Sequence, residues 1–250
     1  MTIWEAIVIG IIQGLTEFLP VSSSGHILLT ERILGVSGDL SFTLILHLAT
    51  LLAVVIVMRK QIWDTIRTPK KWGPLIVATL FSALVVFALG GWLEEALSGG
   101  KYLAACFLIT AVLLLVSGFI KPKKQEIKYF DAVIIGVMQG LAVLPGISRS
   151  GSTVATSVLL GNERSSSVSF SFLLSIPIIV GSALIDLIAE GLGSVQILPM
   201  LFGFIAAFIS GLGAVKFMLK LTAGASDIFA IYLTVLAAFI IVNDMLLHLF

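Results

Sequence analysis

Residues 6–26, AIVIGIIQGLTEFLPVSSSGH, align without a gap on residues 132–152, AVIIGVMQGLAVLPGISRSGS, at an offset of 126. Nine of the 21 positions are identical: Ala6, Ile9, Gly10, Gln13, Gly14, Leu15, Ser22, Ser24 and Gly25. Apolar composition accounts for a few Ile, Ala and Leu matches, but not for IG-x-x-QGL followed by S-x-SG in both copies. Each copy runs an apolar stretch into a Pro/Ser/Gly junction and follows it with a second, shorter stretch. A membrane-crossing helix takes about 20 residues, so neither leg of either copy spans. Irregular backbone at membrane depth is tolerated only where it is buried in protein or lines a wet cavity. The regions 3–35 and 131–162 are therefore predicted to be re-entrant helical hairpins.

The rest of the chain makes the membrane setting plain. Of 250 residues, 58% are hydrophobic and 12% charged, with a mean hydropathy of +1.14. A soluble domain is about 25% charged, and so few ionisable groups could not cover one of this size. The net charge of +1 argues against a nucleic-acid partner. Cys106, the single cysteine, lies in an apolar run and reads as a packing residue. The first apolar stretch lacks a basic leader and runs into Glu17, so no cleavable signal peptide is expected.

Six stretches are long enough to span: roughly 41–58, 73–92, 102–120, 168–189, 195–216 and 227–249. The predicted fold is an all-α polytopic membrane protein, one membrane domain over 1–250. It has about six transmembrane helices plus the two hairpins. Basic residues orient it. Arg59, Lys60, Arg67, Lys70 and Lys71 fall between the first two spans, and Lys121, Lys123, Lys124 and Lys128 follow the third. If the second hairpin enters and leaves on that same side, Arg164, Lys216 and Lys220 join them. Twelve of the 15 basic residues then mark one face, which the positive-inside rule calls cytoplasmic. Arg32 and Lys101, with Glu94 and Glu95, fall outside, as do both termini. Each hairpin precedes three spans, an odd number, so repeat one (about 1–120) and repeat two (about 128–250) insert with opposite orientation. Inverted repeats with broken helices place a site near the midplane, at the repeat interface.

The junctions carry chemistry suited to such a site. Gln13 and Glu17 are spaced i, i+4 and share a helix face. Pro20 stops that helix before the polar run Ser22-Ser23-Ser24-Gly25-His26. In the second copy, Ser148, Arg149, Ser150 and Thr153 open the second leg, where helix N-terminal amides favour an anion. Arg149 adds a planar fork for phosphate or carboxylate, at an insertion cost of about 2.5–3.5 kcal/mol. An anion cradle, a carboxylate, an imidazole and hydroxyl nucleophiles together suit phosphoryl transfer. The plainer readings are that the serines only satisfy a broken helix, and that Glu17 only neutralises Arg149. The joint occurrence in matched junctions favours the site.

QGLTEFLPVSSSGH at 13–26, PGISRSGST at 145–153 and FSFLLSIPIIVG at 170–181 resemble the signature blocks of the undecaprenyl-pyrophosphate phosphatase family, also called the bacitracin-resistance protein family. The similarity covers essentially the whole chain. It implies a bacterial cytoplasmic (inner) membrane enzyme that converts undecaprenyl pyrophosphate to the monophosphate for cell-wall synthesis, with a site facing the outer side. It also implies dependence on a divalent cation, Mg2+ or Ca2+. The substrate is then a polyprenyl pyrophosphate lipid, for which bacitracin competes by binding the lipid rather than the protein. Membrane lipids and a second copy in a homodimer are further expected partners.

Residue by residue, Glu17 matches the family's essential acid, and is the carboxylate expected at the metal. Ser23 and His26 match its proposed nucleophile and its base or alternative nucleophile, and Arg149 its diphosphate-binding arginine. Ser22, Ser148, Ser150 and Thr153 match the phosphate-contacting hydroxyls. Gln13 takes the family's glutamine option, leaving one carboxylate in this motif, so the ion is expected to rest partly on the substrate's phosphates.

His47 and Asp186 also lie in apolar spans; without a motif around them, both read as structural rather than catalytic. Phe-rich 202–208 and Met218 read as packing. The competing function is an inverted-repeat transporter or flippase for a phosphorylated polyprenyl lipid. A scaffolding protein is disfavoured, because it gives no reason for an Arg and a Glu in matched junctions.

Overall fold

Thr2 opens the first helix. Its hydroxyl accepts from Glu5 N at 3.3 Å while the Glu5 carboxylate accepts from Thr2 N at 2.7 Å, a reciprocal cap. Helix α1 (Ile3–Phe18) stops where Leu19 turns extended, as the residue before a proline must. After the junction, α2 (Ser23–Leu34) ends on Gly35 in the left-handed conformation, φ +65°. The chain continues as α3 (Leu40–Val57), α4 (Arg59–Arg67), a 3-10 turn (Pro69–Lys71), α5 (Trp72–Leu97) and α6 (Leu103–Gly118). The second half is α7 (Tyr129–Leu141), α8 (Arg149–Leu159), α9 (Arg164–Glu190), α10 (Ile197–Lys220) and α11 (Ala225–Val242). A π-helical turn, Asn243–Leu247, closes α11. The computed structural model describes residues 1–97, 102–123, 126–190, 196–221 and 225–247, and no strand occurs among them.

Among the described residues, five helices are long and apolar enough to cross a membrane, within Leu40–Val57, Pro69–Gly90, Arg164–Ile188, Ile197–Lys220 and Ser226–Leu246. The sixth expected span, α6, has only 16 residues. At 1.5 Å per residue it rises about 24 Å, short of the roughly 30 Å hydrocarbon core. It buries Phe107, Thr110 and Leu114 on one face and exposes Ile109, Val112 and Leu115 on the other, the pattern of a short lipid-facing helix. Two other boundaries depart from the sequence reading. Helix α5 runs on through Glu94 and Glu95, and part of the basic loop after α3 folds into α4, where Arg67 lies 4.6 Å over the Trp63 ring. Lys101 and Lys124 lie outside the described residues. The exterior is apolar: Phe87 is 90% exposed and Ile188 83%, as lipid-facing residues are. The protein is a multi-pass membrane protein.

The repeated glycines explain how the first legs are seated. A Cβ on Gly10 would meet the Gly203 carbonyl, and one on Gly14 the Ala207 carbonyl, both on α10. A Cβ on Gly136 would meet Ala78, and one on Gly140 Val85 and the Ser82 carbonyl, on α5. In each copy, glycines four residues apart let one helix lie directly on another's backbone, the small-residue contact typical of membrane helices. Helix α1 is held by α10 and α7 by α5, each first leg by a helix of the other half of the chain. Between them, Phe18 meets Phe172 of α9 edge-on at 5.1 Å, so the end of α1 is fixed in an aromatic core.

Candidate active site

The two junctions meet tip to tip. Ser22 caps α2 by accepting from Gly25 N at 3.3 Å, and the same hydroxyl accepts from Gly146 N at 3.1 Å in the other hairpin. Ser150 reciprocates, donating to the Leu19 carbonyl at 3.0 Å. Thr110 of α6 clamps the second junction: its hydroxyl donates to the Gly146 carbonyl at 3.1 Å and accepts from Ser148 N at 3.0 Å. Ser22 is the one non-glycine residue with positive φ among those described, at +71°. A serine held there costs about 1–3 kcal/mol, and such strain persists only where the surroundings enforce it. Gly146, at φ +96°, supplies the conformation and the space that the opposing junction needs: a Cβ there would sit 2.7 Å from the Leu103 carbonyl.

Around this contact the charged residues converge. The Arg149 guanidinium forms an ion pair with Oε1 of Glu17, whose side chain is 1% exposed. Ser23 Oγ donates to Glu17 Oε2 at 2.5 Å, and Gln13 Nε2 donates to the same oxygen at 3.1 Å. His47 Nε2 lies 4.0 Å from it. Because His47 Nδ1 contacts the Thr43 carbonyl at 2.9 Å and must donate there, its Nε2 faces Glu17. The cluster borders a cavity of about 910 Å3. One end is polar, with Glu17, Ser22, Ser23, His47, Ser148 and Arg149 in its wall. The other is apolar, walled by Leu80, Leu84 and Phe87 of α5 and Ile185 of α9. Those four are 61, 64, 90 and 67% exposed, so the apolar end opens between α5 and α9 onto the lipid-facing surface. This shape fits an amphiphile with an anionic head and a hydrocarbon tail.

Of the residues singled out in the sequence, Glu17, Ser22, Ser23, Ser148 and Arg149 line the cavity. Gln13 stands behind Glu17. The other three lie elsewhere. The Ser150 hydroxyl is spent on Leu19 and the neighbouring Ser148. Thr153, 1% exposed, contacts the Arg149 carbonyl at 2.8 Å and Ser171 at 2.6 Å, so it braces the backbone of the arginine. His26 does not line the cavity. Its Nδ1 lies 2.8 Å from the Ser22 carbonyl and must donate; its Nε2 is 2.7 Å from the Tyr232 hydroxyl. The ring thus has both nitrogens engaged, and it stacks on Tyr232 while Phe107 meets it edge-on. One turn along α2 from Ser23 and about 60° around it, His26 meets Phe107 of α6 and Tyr232 of α11 instead of the cavity.

Four cavity residues escaped the sequence argument or were set aside in it: His47, Asp186, Pro177 and Gln139. For His47 and Asp186 the signal was their ionisable character inside a span. For Gln139 it was the repeat itself, which pairs it with Gln13.

No group of three or more His, Cys, Asp or Glu that could hold a metal ion exists among the described residues. Glu17, the one carboxylate at the junctions, already has an ion pair on one oxygen and two hydrogen bonds on the other. The donor set fits a divalent ion only as a shared partner, with one carboxylate from the protein and the remaining oxygens from a bound phosphate.

Comparison with known proteins gives a consistent result. Residues 6–239 match the family described as Bacitracin resistance protein BacA. The undecaprenyl-diphosphatase of Christiangramia forsetii is 43% identical, the alignment covering 93% of this chain and 94% of that protein. Those of Carboxydothermus hydrogenoformans and Bacteroides fragilis are 38% and 39% identical, over 97% of this chain and 97% and 98% of theirs.

Proposed function

The chain belongs to the bacitracin resistance protein BacA family, and from that premise we propose how its geometry carries out the reaction of an undecaprenyl-diphosphatase. The protein is a membrane hydrolase that releases inorganic phosphate from undecaprenyl pyrophosphate, returning the monophosphate carrier to cell-wall synthesis and conferring bacitracin resistance. The observation that carries the mechanism is the chain Ser23–Glu17–Arg149 where the two junctions touch. A hydroxyl hydrogen-bonded to a buried carboxylate is a nucleophile beside its base. Ser23 Oγ attacks the terminal phosphorus while its proton passes to Glu17. The bond from that phosphorus to the bridging oxygen breaks, and the polyprenyl monophosphate leaves. Water then attacks the phosphoserine, giving inorganic phosphate and restoring the Ser23 hydroxyl. Arg149 shifts part of its charge from Glu17 to the transferring phosphoryl oxygens, where a guanidinium stabilises charge as it builds. A water activated by Glu17 is the alternative nucleophile.

Glu17 would hold the divalent ion, Mg2+ or Ca2+, which would supply charge neutralisation to the diphosphate. The diphosphate occupies the polar end of the cavity and the isoprenoid leaves between Leu84 and Ile185 into lipid. The hairpins α1–α2 and α7–α8 are read as re-entrant, because legs of 16, 12, 13 and 11 residues are short for a bilayer. The inverted repeat is supported by the paired glycines of α1 and α7, and by α10 and α5 serving them in equivalent places. With the basic segments cytoplasmic, the first hairpin enters from the outer side, and the site faces outward in the bacterial inner membrane.

Phosphate release from C15 and C55 polyprenyl pyrophosphates in detergent, with and without chelator, tests this reading. Hydrolysis abolished by chelation and by Arg149→Ala supports it. Transport of polyprenyl phosphate in liposomes without hydrolysis points instead to a flippase.

A further inference from the structure

Gln139 occupies, in the second copy, the place that Gln13 holds in the first, and the two amides have different fates. The Gln13 amide donates to Glu17, one helical turn on. One turn on from Gln139 stands Val143, which offers nothing polar. Gln139 is 3% exposed, and neither its Nε2 nor its Oε1 has a hydrogen-bond partner among the described residues. A buried amide with both ends unpaired is costly, about 1–3 kcal/mol for each unsatisfied group, whereas an apolar side chain of the same shape costs nothing of the kind. Gln139 also forms part of the cavity wall with Ser148 and Arg149. It sits on α7, which Gly136 and Gly140 hold directly against α5, so its position is set by backbone packing.

Resting on the function proposed above, we infer that Gln139 is a substrate-binding residue: its amide finds its partners in the bound pyrophosphate and the water around it. Nε2 donates to a phosphate oxygen on the side of the headgroup away from Arg149. Oε1 accepts from a P–OH or from water. A neutral amide suits this wall, because it accepts either protonation state of the phosphate without adding a second buried charge. Gln139 carries no proton in the reaction, so it lowers KM rather than raising kcat.

The experiment compares wild type with Gln139→Leu and the unbranched isostere Gln139→Met in detergent, using C55 pyrophosphate. It reads KM, kcat, inhibition by methylenediphosphonate and melting temperature without ligand. The expected result is a rise in KM of about tenfold, an equal weakening of inhibition, and kcat within threefold. The melting temperature should hold or rise, since two unsatisfied groups are removed. Unchanged KM and inhibition overturn the inference, as does a loss that comes with a lower melting temperature in both variants, which marks a structural role. Absence of phosphate release from the wild type would instead overturn the function itself.

Discussion

The two junctions share a serine cap and divide the chemistry, although their backbones differ, Ser22 standing at φ +71° and Ser148 at −75°. Both stop a helix, expose a serine cap and restart a helix one turn later: Ser22 caps Gly25 N as Ser148 caps Gly151 N. At the positions between, the copies part. Where the first has Glu17 the second has Val143, and where the first has Ser23 the second has Arg149. Acid and hydroxyl thus sit on one hairpin and the cation on the other, and the ion pair forms only when the tips meet. What the two segments have in common is a capped break, and what differs between them is the reactive side chains. A symmetric site with two glutamates would repel itself, and one with two arginines would have no base.

The sharpest way to break the comparison is to remove the pair. Glu17→Ala and Arg149→Ala are each expected to cut phosphate release by at least ~10^4-fold, because base or charge stabilisation is lost entirely. Each also leaves a buried charge uncompensated, at about 3–5 kcal/mol of stability. Thermal unfolding beside a phosphate assay reads both effects. Full activity in either variant sinks the assignment.

Ser23→Ala separates chemistry from folding. It removes the proposed nucleophile and leaves the ion pair intact, so activity should fall at least ~10^3-fold with stability changed by about 1 kcal/mol or less. Radiolabelled terminal phosphate retained on the denatured wild type, and absent from this variant, would mark the covalent intermediate; activity above a tenth of wild type would favour the water route.

His26 gives a smaller effect. Because its ring braces the Ser22 carbonyl from outside the cavity, His26→Asn, which keeps a donor near that carbonyl, should retain activity to within about tenfold. Tyr232→Phe, which removes the hydrogen bond to Nε2, should cost less than threefold in rate and about 0.5–1.5 kcal/mol in stability. A loss in His26→Asn as deep as in Ser23→Ala would put the imidazole back in the reaction. Smallest of all on the chemistry are the seats of the legs. Gly14→Ala and Gly140→Ala should each cost about 1–3 kcal/mol by forcing α1 from α10 or α7 from α5. Equal losses from the two support their equivalence; a loss at one alone would break it.

Much of this was legible in the chain. The twin IG-x-x-QGL blocks, the proline at each junction and the isolated Arg149 pointed to the two junctions as the candidate site, and the structure brings those junctions together. The shortness of α6 was missed, because apolar flanks beyond Gly118 extended the hydrophobic run past the point where the helix ends. His47 was set aside because nothing near it in sequence is reactive; its partner, Glu17, is on another helix. That His26 stands off the cavity wall has the same root: adjacency in a motif does not say what a residue of a restarted helix will meet.

The sequence by itself determined the solvent, the broken helices and the residue types at their breaks. Those follow from local quantities: hydropathy over about 20 residues, a proline's missing donor, and repetition at a fixed offset. Tertiary structure decided that the two junctions touch, that Arg149 reaches Glu17, and that His26 looks away while His47 and Gln139 look in. The physical reason is that helical phase is carried along a continuous hydrogen-bonded ladder and is lost at a break. Across the turn, Ser22 at positive φ resets the direction of α2, and only the packing of α6, α10 and α11 around the tips selects which side chains face the cavity.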